Sequence, residues 1–257
     1  MFQIERQEKI LRFINESKKA NTDELAAAFS VSRVTIRRDI DLLAGKGLLL
    51  KTHGGAVSVK GVFFREIPFS AKAGINAPAK RAIGMAAAQL IENGEIIIFD
   101  SGSTTLEIAK NIHHTDITVL TNDIKIAMEL TNKPDVRVIV SGGSLDSTVF
   151  SLTGARSVNF FKGIHVNKTF LGCDAVDPEF GISDRTFESC DVKRAMIQSA
   201  DEVIMVTDNS KLNKRVFAHV CDISALDKLI IDKIDEQGKK PYTDKGVEII
   251  IAAPAAL

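Results

Sequence analysis

Six consecutive residues, Asp100-Ser101-Gly102-Ser103-Thr104-Thr105, follow the apolar run Glu95-Ile96-Ile97-Ile98-Phe99 and lead into a helical pattern. Small residues let a backbone approach a guest closely, and hydroxyls donate hydrogen bonds. The first turn of a helix also directs N–H groups and a positive dipole end at an anion. A bare phosphate suits such a loop. No Gly-Lys-Ser/Thr of a P-loop follows, and no GxGxxG of a dinucleotide site is present. A plain Ser/Thr-rich helix cap would use the same residues. Other loops follow other apolar runs: Thr121-Asn122-Asp123, Ser141-Gly142-Gly143 and Asp208-Asn209-Ser210-Lys211. Asn122, Gly142 and Gly143 join the candidate anion loop. Lys193, a few residues after Glu188, and Lys211 are candidate phosphate partners. Asp100 and Asp208 could accept hydrogen bonds from sugar hydroxyls. Each lysine alone would be an ordinary surface residue; convergence at strand ends is what singles them out.

A second set of residues suits a different guest. Thr22 opens one short helical pattern, and Ser30-Val31-Ser32 forms a tight turn with one apolar plug and a cap. Arg33–Ala44 then reads as a further helix, with Val34, Ile36, Ile40 and Leu43 turned inward. Ser32, Arg33, Thr35, Arg37 and Arg38 lie near its start. Two short helices and a turn of about three residues describe a helix-turn-helix, whose second helix reads the major groove with its N-terminal residues. Arginine suits bidentate contact to guanine or pairing to phosphate. Gly45-Lys46-Gly47 ends the helix. Leu48–Thr52 reads as a strand and His53-Gly54-Gly55-Ala56 as a turn, a wing in which Lys51, His53 and Gly54 could touch phosphate or the minor groove.

The elements that position these residues divide the chain. Residues 7–18 carry Ile10, Leu11, Phe13 and Ile14 at helical spacing, and Asn21-Thr22-Asp23-Glu24 offers a capped start for the next helix. Residues 1–57 are therefore expected to form a small winged helix-turn-helix domain. Residues 58–79, with Gly61, Pro68, Gly74 and Pro78, read as a linker. Phe63, Phe64, Ile67 and Phe69 are too apolar for a free coil and are expected to dock on the larger domain. From residue 80 to 257, short apolar strands alternate with helices, which implies an α/β domain with a parallel sheet covered on both faces. Ligands in such folds bind at the carboxyl ends of the strands.

Bulk properties agree with this division. Residues 1–57 hold ten Lys and Arg against seven Asp and Glu, +3 in a chain of net charge zero. A basic front on a body of −3 suits a DNA-binding head. No apolar run nears the roughly 18–20 residues of a membrane span, and the start shows no signal-peptide pattern. Cys173, Cys190 and Cys221 are widely spaced and form no metal-binding pattern. Reduced thiols, a cytoplasmic location and no metal or cofactor are the expectation.

The string Phe29-Ser30-Val31-Ser32-Arg33-Val34-Thr35-Ile36-Arg37-Arg38-Asp39-Ile40, followed by Gly47-Leu48 and His53-Gly54-Gly55-Ala56-Val57, closely resembles the N-terminal domain of the DeoR family of bacterial regulators. Asp100–Thr105, Thr121-Asn122, Gly142-Gly143, Leu171-Gly172 and Asp208–Lys211 resemble the effector domain of the same family. The resemblance implies a Rossmann-like fold related to ribose-5-phosphate isomerase, a phosphorylated sugar as effector, and a homo-oligomer, dimer or tetramer, on double-stranded operator DNA. It implies a repressor of sugar utilisation, with an activator of the same architecture as the other sign. Arg33 stands where the family commonly has Glu. Asp174 stands where many members have a smaller residue, a trait that points to an amino-sugar or hexitol phosphate. An isomerase-like enzyme is the rival reading, because Leu171-Gly172-Cys173-Asp174-Ala175-Val176-Asp177 looks like the Asp-Gly-Ala-Asp-Glu stretch of pentose-phosphate isomerases. Such enzymes use a carboxylate base. Gly181–Thr186 lacks their Lys-Gly-Gly-Gly turn, so Glu188 and Asp174 form an incomplete constellation and a receptor is expected.

Overall fold

The computed structural model describes residues 3–45, 48–52, 54–58 and 66–252. His53, Phe63 and Phe64 lie outside the described residues. Two compact units are present, Met1–Asn76 and Ala77–Leu257.

In the first unit, α1 (Gln3–Ser17), α2 (Thr22–Phe29) and α3 (Arg33–Gly45) surround a small apolar core. Ile10 and Ile14 of α1, Leu25 of α2, and Ile36, Ile40 and Leu43 of α3 are all buried there. The start of α2 is a capping box: Asn21 Oδ1 accepts from the Glu24 N–H, and the Glu24 carboxylate accepts from the Asn21 N–H. Ser30 ends α2 in the left-handed region at φ 52°. The sheet is antiparallel in the order β1-β3-β2, with β1 Lys19–Asn21, β2 Leu49–Thr52 and β3 Gly55–Ser58. Strand β1 was not expected from the sequence. Its presence explains Gly55, because a Cβ there would lie 2.1 Å from the Ala20 carbonyl oxygen. Asp39 is buried and accepts from Arg6 Nε at 2.5 Å and Gln7 Nε2 at 3.0 Å, which ties α3 to α1. A short helix, α4 (Phe69–Gly74), also belongs to this unit. Ile67 and Ala71 are buried against Leu50 of β2, so these members of the expected linker pack on the wing strand.

The second unit opens with α5 (Ala77–Ala88), β4 (Ile96–Phe99), α6 (Ser103–Lys110), β5 (Ile117–Thr121), α7 (Ile124–Leu130) and β6 (Val136–Val140). A hairpin follows, β7 (Ser144–Asp146) and β8 (Ser151–Thr153), then α8 (Ala155–Lys162) and β9 (Val166–Leu171). Next come β10 (Ala175–Asp177), β11 (Gly181–Asp184), α9 (Phe187–Gln198), β12 (Ala200–Thr207) and β13 (Ala218–Cys221). The unit closes with β14 (Lys228–Ile231), α10 (Glu236–Thr243) and β15 (Glu248–Ile251). Seven strands make one sheet in the order β15-β14-β12-β9-β4-β5-β6, and every pair in it is parallel. Alternate residues feed two cores. Ile97, Phe99, Ile204 and Val206 pack with α5, α6 and α7, while Ile98, Val203 and Met205 pack with α8, α9 and α10. Burial on both faces is why these strands read as continuous apolar runs.

Strand order reverses between β4 and β9. Chains leave these two neighbours toward opposite ends of the sheet, which opens a crevice at their carboxyl ends. Two small additions flank it. The β7–β8 hairpin bonds to the end of β5 through the Leu152 N–H and Asn122 carbonyl. The β10-β11-β13 sheet meets the segment after β12 through the Val176–Leu212 bridge.

Candidate effector site and DNA-reading helix

Asp100, Gly172 and Lys193 meet at the crevice. One Asp100 oxygen accepts from the Gly172 N–H at 3.0 Å and from Lys193 Nζ. Lys193 Nζ also donates to the Gly172 carbonyl at 2.9 Å and pairs with Asp184 at 3.3 Å. All three charged groups are buried. Burial pushes the Asp100 carboxyl up against the opposing pull of Lys193. Burial alone would lower the Lys193 ammonium, but Asp100 and Asp184 outweigh it and hold the amine charged. The three donors of this ammonium are thus met by Asp100, Asp184 and a carbonyl. Lys193 was expected to face a phosphate; it sits instead as the brace between the ends of β4, β9 and β11, because a buried charge must be paired.

Beside this brace lies the loop from β4 to α6. Asp123 anchors it, accepting from Ser101 Oγ at 2.7 Å while capping α7 through the N–H groups of Lys125 and Ile126. Burial raises the Asp123 carboxyl, opposed by these same hydrogen bonds. Thr105 is buried, and its hydroxyl donates to the Gly102 carbonyl. The N-cap of α6 is Gly102, which has no side chain to cap the helix, and the Gly102 N–H is held by the Asp123 carboxylate. Ser101, Gly102, Ser103 and Thr104 are half-buried. Asn122, after β5, is buried and donates to the Leu152 carbonyl, but its Oδ1 has no hydrogen-bond partner among the described residues. An oriented, desolvated acceptor of this kind favours a guest that donates.

A second charged group completes the rim. Asp174, buried after β9, lies 3.3 Å from Arg185 Nε and 3.7 Å from Lys211 Nζ. Lys211 follows β12 on a short 3-10 turn capped by buried Asp208, which accepts from the Ser210 N–H at 3.0 Å. Burial pushes the thiol of Cys173, next to Asp174 in the chain, up to about 12. The other expected residues are spread further. Gly142 and Gly143 are exposed at the end of β6, two strands from β4. Gly143 has φ +122° and would set a Cβ 2.5 Å from the Thr153 carbonyl oxygen, so it fits the hairpin closely. Glu188 is exposed in a groove between α8 and α9 that Lys162 and Asp191 also line, apart from the brace. It therefore does not complete the carboxylate pair an isomerase reading would need. Sequence reasoning missed Asp123, Asp184 and Arg185. Arg185 was legible only as a cation immediately before the Thr186 cap of α9.

In the first unit, Ser32 caps α3, accepting from the Thr35 N–H at 3.1 Å, and the two hydroxyls lie 2.9 Å apart. Arg33, Arg37 and Arg38 are exposed. Arg33 Nε pairs with Asp23 at 2.5 Å, and Lys51 of the wing pairs with Asp41. Thr22 was expected to contact DNA but is buried, with its hydroxyl and its N–H both donating to the Gly54 carbonyl. It fastens the wing to α2. Val34 was expected inside; it is 68% exposed, because the buried stripe of α3 runs through Ile36, Ile40 and Leu43.

Comparison with known proteins agrees with these two halves. Residues 6–62 match the DeoR-like helix-turn-helix domain, and residues 75–233 match the DeoR C terminal sensor domain. An uncharacterized HTH-type transcriptional regulator, YulB of Bacillus subtilis, is 36% identical over 97% of this chain and 96% of its own length. A putative aga operon transcriptional repressor of Escherichia coli O157:H7 is 32% identical over 96% and 93%. An L-fucose operon activator of Haemophilus influenzae is 33% identical over 93% and 96%. The chain belongs to the DeoR family of helix-turn-helix transcription regulators, a DNA-binding head joined to a sensor domain, and is a regulator rather than an enzyme.

Proposed function

We propose that the protein represses a sugar-utilisation operon and leaves its operator when a phosphorylated sugar occupies the crevice at the ends of β4, β9 and β12. The observation that carries the sensing half is the α6 N-terminus, whose N-cap is a glycine, at the same sheet end as Lys211 and Arg185. The phosphate would sit on the backbone N–H groups of Ser103 and Thr104, with Ser101 and Gly102 beneath it and Lys211 as counter-charge. Asn122 Oδ1 would accept from a sugar hydroxyl. Asp174 would accept from a hydroxyl or pair an amino group, which favours an amino-sugar or hexitol phosphate. Asp100 and Lys193 would act as positioning residues. Arg37 and Arg38 would meet the operator, with Ser32, Arg33, Thr35, Lys51 and Gly54 around them. A dimer or tetramer working in the cytoplasm fits this role, since a single reading head binds too weakly and unselectively.

Thermal unfolding of the full chain against matched pairs of sugars and sugar phosphates tests the sensing half. The expected result is a rise in melting temperature with one phosphorylated sugar and none with its unphosphorylated partner; equal rises with both would overturn it. Transcription in vitro from a bound promoter tests the sign: repression falls with the effector, whereas a gain of transcript on binding would make the protein an activator.

A further inference from the structure

We infer that Val34 reads the methyl group of a thymine in the major groove and so determines specificity at one operator position. The inference rests on the reading of α3 as the recognition helix. Val34, in the first turn, is 68% exposed, while Ile36, Ile40 and Leu43 of the same helix are buried and the other exposed apolar residue, Leu42, lies toward its far end. A β-branched side chain is a modest helix former and gains nothing from packing at such a place. Its polar neighbours are engaged locally: the Ser32 hydroxyl with the Thr35 N–H and Thr35 Oγ1, and Arg33 with Asp23. What the first turn of α3 presents outward beyond these pairs is therefore an isopropyl group.

Arg37 and Arg38 follow Val34 by three and four residues and so share its face. Both are exposed and make no ion pair among the described residues. Guanidinium groups read guanine edges or phosphates and cannot recognise a methyl group. Thymine C5-methyl is the apolar feature of the major-groove edge, and aliphatic contact is how proteins read it. Three residues advance about 4.5 Å along a helix, and base pairs repeat at about 3.4 Å. The thymine should accordingly lie within about two base pairs of the contact made by Arg37.

Duplexes selected by the purified full chain from a randomised pool provide the probe. Each thymidine is then replaced singly by deoxyuridine, which lacks only the methyl group, and affinity is read by fluorescence anisotropy for the wild type and for V34A. At one position the wild type should bind the deoxyuridine duplex about fourfold more weakly, the factor expected for burying one methyl group. V34A should lose a similar factor on the thymidine duplex and show no difference between the two bases there. A thymidine–deoxyuridine difference that persists in V34A at every position overturns the assignment of Val34 alone, as does its absence from the wild type. A pool that yields no motif overturns the recognition-helix reading together with it. Sugar-phosphate release is measured separately and is unaffected by either result.

Discussion

Replacing Lys193 by Met removes the cation shared by Asp100 and Asp184 while nearly preserving side-chain volume. The two carboxylates are 2% and 4% exposed, so neither gains water when the ammonium is lost. Breaking a buried ion pair by deleting one partner costs about 3–5 kcal/mol. For a unit of this size each kcal/mol lowers the melting temperature by about 2–4 °C, so the sensor transition should fall by roughly 6–20 °C. The sign with pH follows from Asp100. Its folded carboxyl titrates above its unfolded value, so it contributes stability at low pH that is lost as pH rises through the folded value. Without Lys193 the folded value moves further up and the range of pH over which stability is lost widens, so the loss in K193M should be larger at pH 8 than at pH 5. Adding D100N to K193M should recover part of the loss, since a neutral amide carries no buried charge. Scanning calorimetry of the full chain reads all three variants. A drop below about 1 kcal/mol, equal at both pH values, would refute the brace and return Lys193 to the role of a surface phosphate ligand.

Lys211→Ala should weaken the sugar phosphate by roughly tenfold or more, the scale of one charge-assisted hydrogen bond, while operator affinity persists; isothermal titration and anisotropy check the two halves. Arg37→Ala or Arg38→Ala should cost about 1–3 kcal/mol of operator binding if a base is read, or reduce the salt slope if a phosphate is held. Gly143→Ala should destabilise the sensor unit by about 1–3 kcal/mol, because its Cβ would meet the Thr153 carbonyl at positive φ; thermal melts decide it. Asp39→Ala should melt the head at lower temperature and reduce DNA binding indirectly, since it strips Arg6 and Gln7 of their shared acceptor; a normal melt with lost binding would instead make Asp39 a DNA contact.

The helices of the head were legible because their cues are local: period in Ile10 and Ile14, and the capping box at Asn21 and Glu24. Strand β1 was not, since Lys19-Ala20-Asn21 is short and polar and exists only through its pairing with β3. Val34 was assigned inward from its apolar type, but the buried stripe contains Asp39 beside Ile36 and Ile40. Residue type alone could not reveal that exchange. The parallel sheet was legible from its apolar runs, and so was the rim, because loops after such runs share one end. The pairings across it were not. Lys193 sits at helical spacing from buried Cys190 and Met196, a cue that it points inward. Nothing in the order of residues says that its partners come from a loop 93 positions away, a second loop 21 positions away and a short strand in an antiparallel sheet.

Release of the operator by a sugar phosphate is the decisive property of such a regulator. Full-length protein bound to a selected, fluorescently labelled operator duplex is titrated with matched sugars and sugar phosphates. One phosphorylated sugar should dissociate the wild type from DNA, its unphosphorylated counterpart should not, and K211A should need roughly tenfold or more of the same sugar phosphate for release. Release of K211A at the wild-type concentration, or release of the wild type by the unphosphorylated sugar, would contradict this.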